Sequence, residues 1–376
     1  MQNKEMFAGL RVLELASVLA GPSVGQFFAE LGAEVIKVEN PKTGGDVTRS
    51  WKSADEQTDD RSAYFCSCNW GKKSIALDLN LKDDMEIVKK LSKRADLIIA
   101  SYKPGDAEKL GVSYTQLKTY NPQLIYGQIT GYGSDDDRVG YDAIIQAEAG
   151  FMDLNGDKDG PPTKMPVALV DILAAHQLKE GLLLALLHRE RTGEGSFVEV
   201  SLIQAAIASL ANQATNWLVG KKLPTRQGSA HPNIAPYGDS FLTKDGKRIL
   251  LAVGSDKQFE ELCKILSIEL SEIFSVNQSR VVNRSALNEI LATKIKEEHS
   301  EIFFQQLRSS KIPAGFIQNM RKVFEMPQAR EILIRKNDLV GVRNYIAKKM
   351  NNLQNPSELL PPPHLGEHTH EIISIL

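Results

Sequence analysis

The chain reads as an α/β protein with a large parallel-sheet domain and a smaller α+β domain. Two observations carry this. Through the first 220 residues, apolar strand-like runs alternate with helical stretches, the pattern of a parallel sheet covered on both faces. From about Lys221 the character changes to a loop, a hairpin and then helices. Taken in order, LRVLELA (10–16) predicts a strand that leads through SVLAGPSVGQF into a helix ending at Leu31, and AEVIKVE (33–39) predicts the next strand. SIALDL follows as a strand, then a helix over 82–94, the strand ADLIIA (95–100), and LIYGQITGYG (124–133), a strand entering a loop. A long helix runs to a stop at Gly193 and Gly195 and is followed by the strand SFVEVSLI (196–203). YGDSFLT, a Lys-Asp-Gly turn and RILLAVG form a hairpin. The boundaries expected are 1–220 for the large domain, 228–315 for the small one, and 316–376 for a linker and a Pro-rich arm, with a short last helix, that returns to the large domain.

Composition narrows the function classes. With 42% hydrophobic and 24% charged residues over 376 positions, the chain is ordinary for a globular enzyme. A formal net charge of −2 provides no global attraction to nucleic acid or to an anionic membrane. The opening MQNKEMFAGL lacks an apolar core long enough for a secretory signal, and the run GLLLALL (181–187) is too short to span a bilayer. Cys66, Cys68 and Cys263 are sparse and odd in number, so they are expected to be reduced packing residues in a cytoplasmic protein. Their spacing offers no metal site.

The most informative stretch is PVALVDILAAHQLKEGLLLALLHRERTGEG (166–195), after the Pro/Gly-rich loop NGDKDGPPTKMP. A single carboxylate, Asp171, stands where this loop becomes a helix. A helix N-terminus favours an ionised group, so Asp171 is expected ionised, as a cap, a cation ligand or a nucleophile. Taken alone, the cap is the default. The first strand–helix–strand unit with Glu39 mimics a dinucleotide site, but its turn, Ala16-Ser17-Val18-Leu19-Ala20-Gly21-Pro22, lacks the glycine signature, which argues against NAD. Asn69-Trp70-Gly71-Lys72-Lys73, Ser101-Tyr102-Lys103-Pro104-Gly105 and Lys109 lie around strand ends. Their cations suit a phosphate-rich ligand, and Tyr102 or Trp70 suits a base.

Taken together these stretches resemble the class III CoA-transferases, the family of formyl-CoA:oxalate and carnitine CoA-transferases, with α-methylacyl-CoA racemase as a relative. The resemblance runs nearly end to end, on GLRVLELASVLAGP, LGAEVIKVENPKTGGDVTR, NWGKKSIALDL, GYDAIIQAEAGFMDLNG, VALVDILAAHQ, RTGEGSFVEVSL, HPNIAPYG and PPPHLGEHTHEI. It implies a Rossmann-like large domain built from both chain ends and an interlocked homodimer. Acyl-CoA and a small carboxylic acid are its implied substrates. Asp171 is the implied nucleophile; the position of Tyr141 and Asp142 in the loop after the strand 124–130 predicts that Tyr141 lines the CoA or acyl pocket and that Asp142 orients groups around Asp171. Coenzyme A contacts are implied at Val18, Leu19, Ala20, Asn40, Asn69, Gly71, Lys72, Ser101, Tyr102, Lys103, Lys109 and Tyr141. Oxalate-specific members carry Gln where this chain has Leu19, Arg where it has Asn40, and a glycine run where it has Gly228-Ser229-Ala230-His231-Pro232-Asn233, so oxalate does not carry over.

The expected activity is transfer of CoA from an acyl-CoA to a free carboxylic acid through an aspartyl-CoA/anhydride intermediate, with no metal or NAD. Two alternatives stand beside it. A racemase needs an acid/base group on each face of Cα, but its histidine position holds Tyr141. A non-catalytic acyl-CoA-binding protein needs Asp171 to be only a cap.

Overall fold

The computed structural model describes residues 5–347 and 358–376. Six strands form one sheet: β1 (Arg11–Leu15), β2 (Glu34–Glu39), β3 (Lys72–Ala76), β4 (Leu97–Ala100), β5 (Ile125–Thr130) and β6 (Ser196–Ser201). Their order is β3-β2-β1-β4-β5-β6, and every pairing is parallel. This is the doubly wound order. The apolar runs are explained by it: all four residues of β4 are buried and so are five of six in β5, because parallel strands are covered on both faces.

Helix α1 (Ala20–Ala29) connects β1 to β2, and all ten of its residues are buried. Its apolar sequence packs onto a charged floor. Glu14, the last residue but one of β1, is 0% exposed and lies so close to α1 that a Cβ on Gly25 would stand 1.8 Å from Glu14 Oε2. Only glycine fits there. Glu14 binds Lys37 at 3.0 Å and Lys72 at 2.8 Å. Lys37 also binds Asp46 at 2.9 Å, and Arg49 forks onto Glu39 with two 2.7 Å bonds.

The 24-residue helix α3 (Leu169–Thr192) buries Val170, Asp171, Ala174, Ala175, Leu178, Lys179, Leu182 and Ala185, a stripe at helical spacing. Asp171 therefore lies on the helix's inner face. Gly193 ends α3 in the left-handed conformation, φ 76°, as its sequence predicts. Several expected bounds shift: β3 runs from Lys72 to Ala76, β4 starts at Leu97, β5 stops at Thr130, and β6 stops at Ser201, where the helix Leu202–Ala208 begins.

The chain divides into two compact units. One holds 1–149, 165–211 and 328–376, the other 150–164 and 212–327. The second thus takes in more chain than 228–315. It contains the antiparallel sheet β7 (Tyr237–Leu242), β8 (Arg248–Ala252) and β9 (Ala314–Phe316), with helices around a core of Phe241, Leu251, Phe259, Leu291 and Phe303. Its 231–236 loop is tied from within: Arg284 donates to the Ile234 carbonyl at 2.6 Å, and Arg280 to the Ala235 carbonyl at 2.8 Å. In the first unit, β10 (Leu333–Lys336) and β11 (Leu339–Val342) form a hairpin, and the helix Thr369–Ser374 buries Ile372 in the main core. Residues 351–357 of the expected arm lie outside the described residues. From Leu359 onward the arm lies on the sheet unit: the Leu360 carbonyl accepts from Gly71 N–H at 2.9 Å and Pro363 from Arg49 at 3.1 Å.

Candidate active site

In this strand order β1 and β4 are neighbours whose following connections diverge, and a crevice opens beyond their carboxyl ends. Ser17 N–H donates to Ser101 Oγ across it at 3.2 Å. The cavity there is lined by Ser17, Val18 and Ala20 after β1, by Ser101, Tyr102 and Lys103 after β4, by Arg138, Tyr141 and Asp142 beyond β5, and by Asp171. The structure thus brings Val18, Ala20, Ser101, Tyr102, Lys103, Tyr141, Asp142 and Asp171 together around one space.

Asp171 is 7% exposed and accepts no hydrogen bond among the described residues. It is not the cap. The N-cap is Ala168, which makes no side-chain cap bond, and Asp171 lies in the first turn. The cap comes from elsewhere: Asp142 Oδ1 accepts the Val170 N–H at 2.8 Å. Nor does the helix terminus keep Asp171 at an ordinary acidity. Burial, with the Asp142 charge adding to it, pushes the Asp171 carboxyl up to about 7. A buried carboxyl without partners, facing a cavity, is a basic and therefore more nucleophilic carboxylate once ionised.

Asp142 opens α2 (Asp142–Glu148) and is itself buried. Gln146, four residues on, donates to Asp142 Oδ2 at 2.7 Å. The turn before α2 depends on glycine: a Cβ on Gly140 would lie 2.4 Å from the Gly131 Cα. That crossing closes the loop carrying Arg138, whose guanidinium covers the Tyr132 ring at 3.7 Å and pairs with Asp136 at 2.8 Å. Tyr141, at the α2 N-cap, is 54% exposed.

At the other wall Val18 has φ 71°, a strained conformation for a β-branched residue. Its N–H donates to Asp46 Oδ1 at 3.3 Å. Burial opposes charge on Asp46, but Lys37 outweighs it and holds the carboxyl below the usual range. Burial likewise opposes the charge of Lys37, which Asp46, Glu14 and Glu39 more than offset. The ion cluster beneath β1 thus anchors the cavity wall.

Several expected contacts lie elsewhere. Lys72, at the start of β3, is 0% exposed and spends its ammonium on Glu14, Asn69 Oδ1 at 2.8 Å and the Pro22 carbonyl at 2.9 Å, so it has no hand free for a phosphate. Burial pulls its pKa below the usual lysine value. Asn69 is fully buried, and its amide donates to the Phe65 carbonyl at 2.8 Å. Trp70 is a core residue with Ile334 and Leu359, not a base-stacking platform. Gly71 faces Ala29 and Leu359, where a Cβ would come within 2.9 Å of the Ala29 side chain. Asn40 caps a short turn by accepting from Lys42 N–H at 2.9 Å. Leu19 is the N-cap of α1, its carbonyl accepting from Ser23 at 2.8 Å. Lys109 is exposed and paired with Asp106 at 3.0 Å. None of these seven lines the cavity. Gln146, Asp46 and Arg138 are the residues that sequence reasoning missed.

Cys66, Cys68 and Cys263 are buried free thiols, each pushed up by burial, to about 11, 12 and 11. Asp59, Asp60 and His364 place ligand-type atoms within 4.8 Å of one another at the surface, but Arg61 holds Asp59 and the Leu365 N–H binds Asp60 at 2.8 Å. No helix among the described residues is long and apolar enough to cross a membrane.

Fold and cavity present a parallel α/β sheet with a crevice beyond the carboxyl ends of its strands. The family profile of CoA-transferase family III matches residues 7–369, and the chain belongs to that family of enzymes, whose substrates are CoA thioesters. It is 37% identical to the succinate–glutarate CoA-transferase of Agrobacterium fabrum, over 99% of this chain and 96% of that protein. It is 36% identical to the succinyl-CoA:mesaconate CoA-transferase of Haloarcula hispanica, over 97% and 94%. The crystal structure of a CAIB/BAIF family protein from Brucella suis superposes with a TM-score of 0.85 at 39% identity, covering 99% of both chains.

Proposed function

We propose that the protein moves CoA from succinyl-CoA to a small dicarboxylic acid, with Asp171 as nucleophile. The observation that carries this is a buried carboxyl, without a hydrogen-bond or ion-pair partner among the described residues, in the crevice of a family III chain. The relatives named for succinate with glutarate, and for succinyl-CoA with mesaconate, direct the choice of substrates.

The Asp171 carboxylate adds to the thioester carbonyl, and the resulting oxyanion collapses to expel CoA thiolate. This leaves a mixed succinyl–aspartyl anhydride. The thiolate then attacks the aspartyl carbonyl, releasing succinate and leaving Asp171 as a CoA thioester. An acceptor carboxylate attacks that thioester and again frees the thiolate. The thiolate attacks the acceptor's acyl carbonyl in the new anhydride, which gives the new acyl-CoA and restores the Asp171 carboxylate. Each step exchanges one acyl bond for another, with no net proton or electron. Covalent division of the exchange lowers each barrier. Lys103 and Arg138, at the cavity wall, supply positive charge for the phosphates or carboxylates of the ligands. Ser101 and Tyr102 shape the wall, and Tyr141 lines the acyl side.

We place the working form as an interlocked homodimer in the cytoplasm. Leu184 and Leu187, exposed on α3 at 67% and 47%, support burial against a second chain, and the three free thiols suit a reducing compartment.

The test is incubation with succinyl-CoA and, separately, glutarate, mesaconate, oxalate and monocarboxylic acids, with products read by mass spectrometry. The expected result is a new dicarboxylyl-CoA together with stoichiometric succinate. Absence of any new thioester from any acid contradicts the reading.

A further inference from the structure

Gln146 is 0% exposed and stands four residues after Asp142, so the two share a face of α2. Its Nε2 donates to Asp142 Oδ2 at 2.7 Å and to the Val167 carbonyl at 3.4 Å, and its Oε1 accepts the Met165 N–H at 2.9 Å. Asp142 Oδ1 takes the Val170 N–H at 2.8 Å. One amide and one carboxylate thus hold residues 165, 167 and 170, within the last six residues of chain before Asp171. The chemistry needs an amide. Only a group with both an acceptor and two donors serves a carboxylate, a carbonyl and a peptide N–H together. Glutamate offers no donor when ionised, and leucine offers neither.

We propose that Gln146 is a positioning residue for CoA transfer: it latches the approach to α3 onto Asp142, and so sets where the helix starts and how Asp171 meets the thioester. This rests on Asp171 being the nucleophile. The latch acts on geometry and on charge. A helix whose first turn starts one residue later rotates Asp171 by about 100°, out of the cavity. The latch also keeps the Asp142 carboxylate at the turn that carries Asp171. Other groups around Asp171 are the Tyr64 phenol, from the helix Ala63–Cys66, and Tyr102, Lys103, Arg138 and Tyr141 on the cavity wall. Burial first, and then the Asp171 charge, pushes the Tyr64 phenol up to about 12, so that phenol stays protonated across the working range. Among these, Asp142 is the carboxylate that acts on Asp171.

The experiment compares Gln146→Leu, Gln146→Glu and Asp171→Ala in the full chain. It measures kcat and KM for succinyl-CoA with glutarate across neutral and alkaline pH. Gln146→Leu is expected to lower kcat about 100-fold, the cost of a misplaced reacting group, with KM for succinyl-CoA unchanged. Gln146→Glu keeps the size, removes the donor and adds a carboxylate, and is expected to move the acid limb of kcat to higher pH, since a like charge disfavours ionisation. That movement reports the added charge; the latch itself is read from the fall in kcat at unchanged KM on the alkaline side of the limb. Native kcat and a native acid limb in the variants overturn the latch. If Gln146→Leu does not fold, the isosteric Glu variant carries the test, and a native kcat in it on the alkaline side of the limb overturns the proposal. Asp171→Ala separates the two readings: transfer retained by it overturns the nucleophile and the latch together, whereas its inactivity beside native Gln146 variants overturns the latch alone.

Discussion

Two buried acidic groups of this protein face opposite situations. Glu14, 0% exposed on β1, is surrounded by cations: Lys37 at 3.0 Å and Lys72 at 2.8 Å, with Asp46, Glu39 and Arg49 extending the cluster. Asp171, 7% exposed on α3, makes no ion pair among the described residues, and the charge of a second carboxylate, Asp142, acts on it. The first arrangement satisfies charge and serves as a frame. The second leaves charge unsatisfied and serves as a reagent. A buried ion cluster gives little net stability compared with apolar packing, but breaking one partner is costly because it strands the others. A buried lone carboxyl works in reverse: it holds its proton, and the fold is strained by ionising it.

Removing charge should therefore have opposite effects at the two places. The larger effect is at the frame. Glu14→Gln leaves Lys37 and Lys72 without their shared carboxylate, and the fold is expected to lose about 3–5 kcal/mol, read from urea unfolding at neutral pH. A loss of less than about 1 kcal/mol breaks the comparison, since it would place the cluster among ordinary surface pairs.

At the reagent the sign reverses and depends on pH. The Asp171 carboxyl keeps its proton up to about pH 7 in the folded protein, but only to about 4 in an unfolded chain. Its contribution to stability is whole below about pH 4 and is lost as pH rises through about 7. Asp171→Asn removes that loss. The variant is expected to match the native protein near pH 4 and to exceed it by roughly 2–4 kcal/mol at pH 8, a gain in stability at the expense of activity. Equal urea midpoints for the two proteins at both pH values contradict the unsatisfied carboxyl.

The sequence made the frame of the fold readable but not the wiring beneath it. Strands such as LIIA and IYGQIT are continuous apolar runs, because helices cover both faces of the sheet, and the period of α3 is plain from Ala174, Leu178 and Leu182. Lys72 was opaque for a physical reason. A lysine before an apolar run reads as surface charge, and its burial makes sense only with Glu14, 58 residues away. Asn69 and Trp70 share that fate, drawn into the core by long-range packing. Asn40 is implied by the family resemblance and Lys109 by its charge near a strand end as well, yet their side chains turn to the local turn and to Asp106. At the site, the approximate position of Asp171 was legible and its role in the helix was not. The cap is supplied by Asp142 from another helix, and no local pattern records a bond between residues 28 apart. Gln146 gave only one signal, its i+4 spacing from Asp142.

The central claim is that Asp171 becomes covalently activated during transfer. Native protein incubated with succinyl-CoA and then hydroxylamine should carry a hydroxamate on Asp171, seen as a mass change confined to the peptide that contains it. Borohydride should likewise reduce the aspartyl thioester at the same residue. An unmodified Asp171 peptide in protein that transfers CoA under the same conditions contradicts the account.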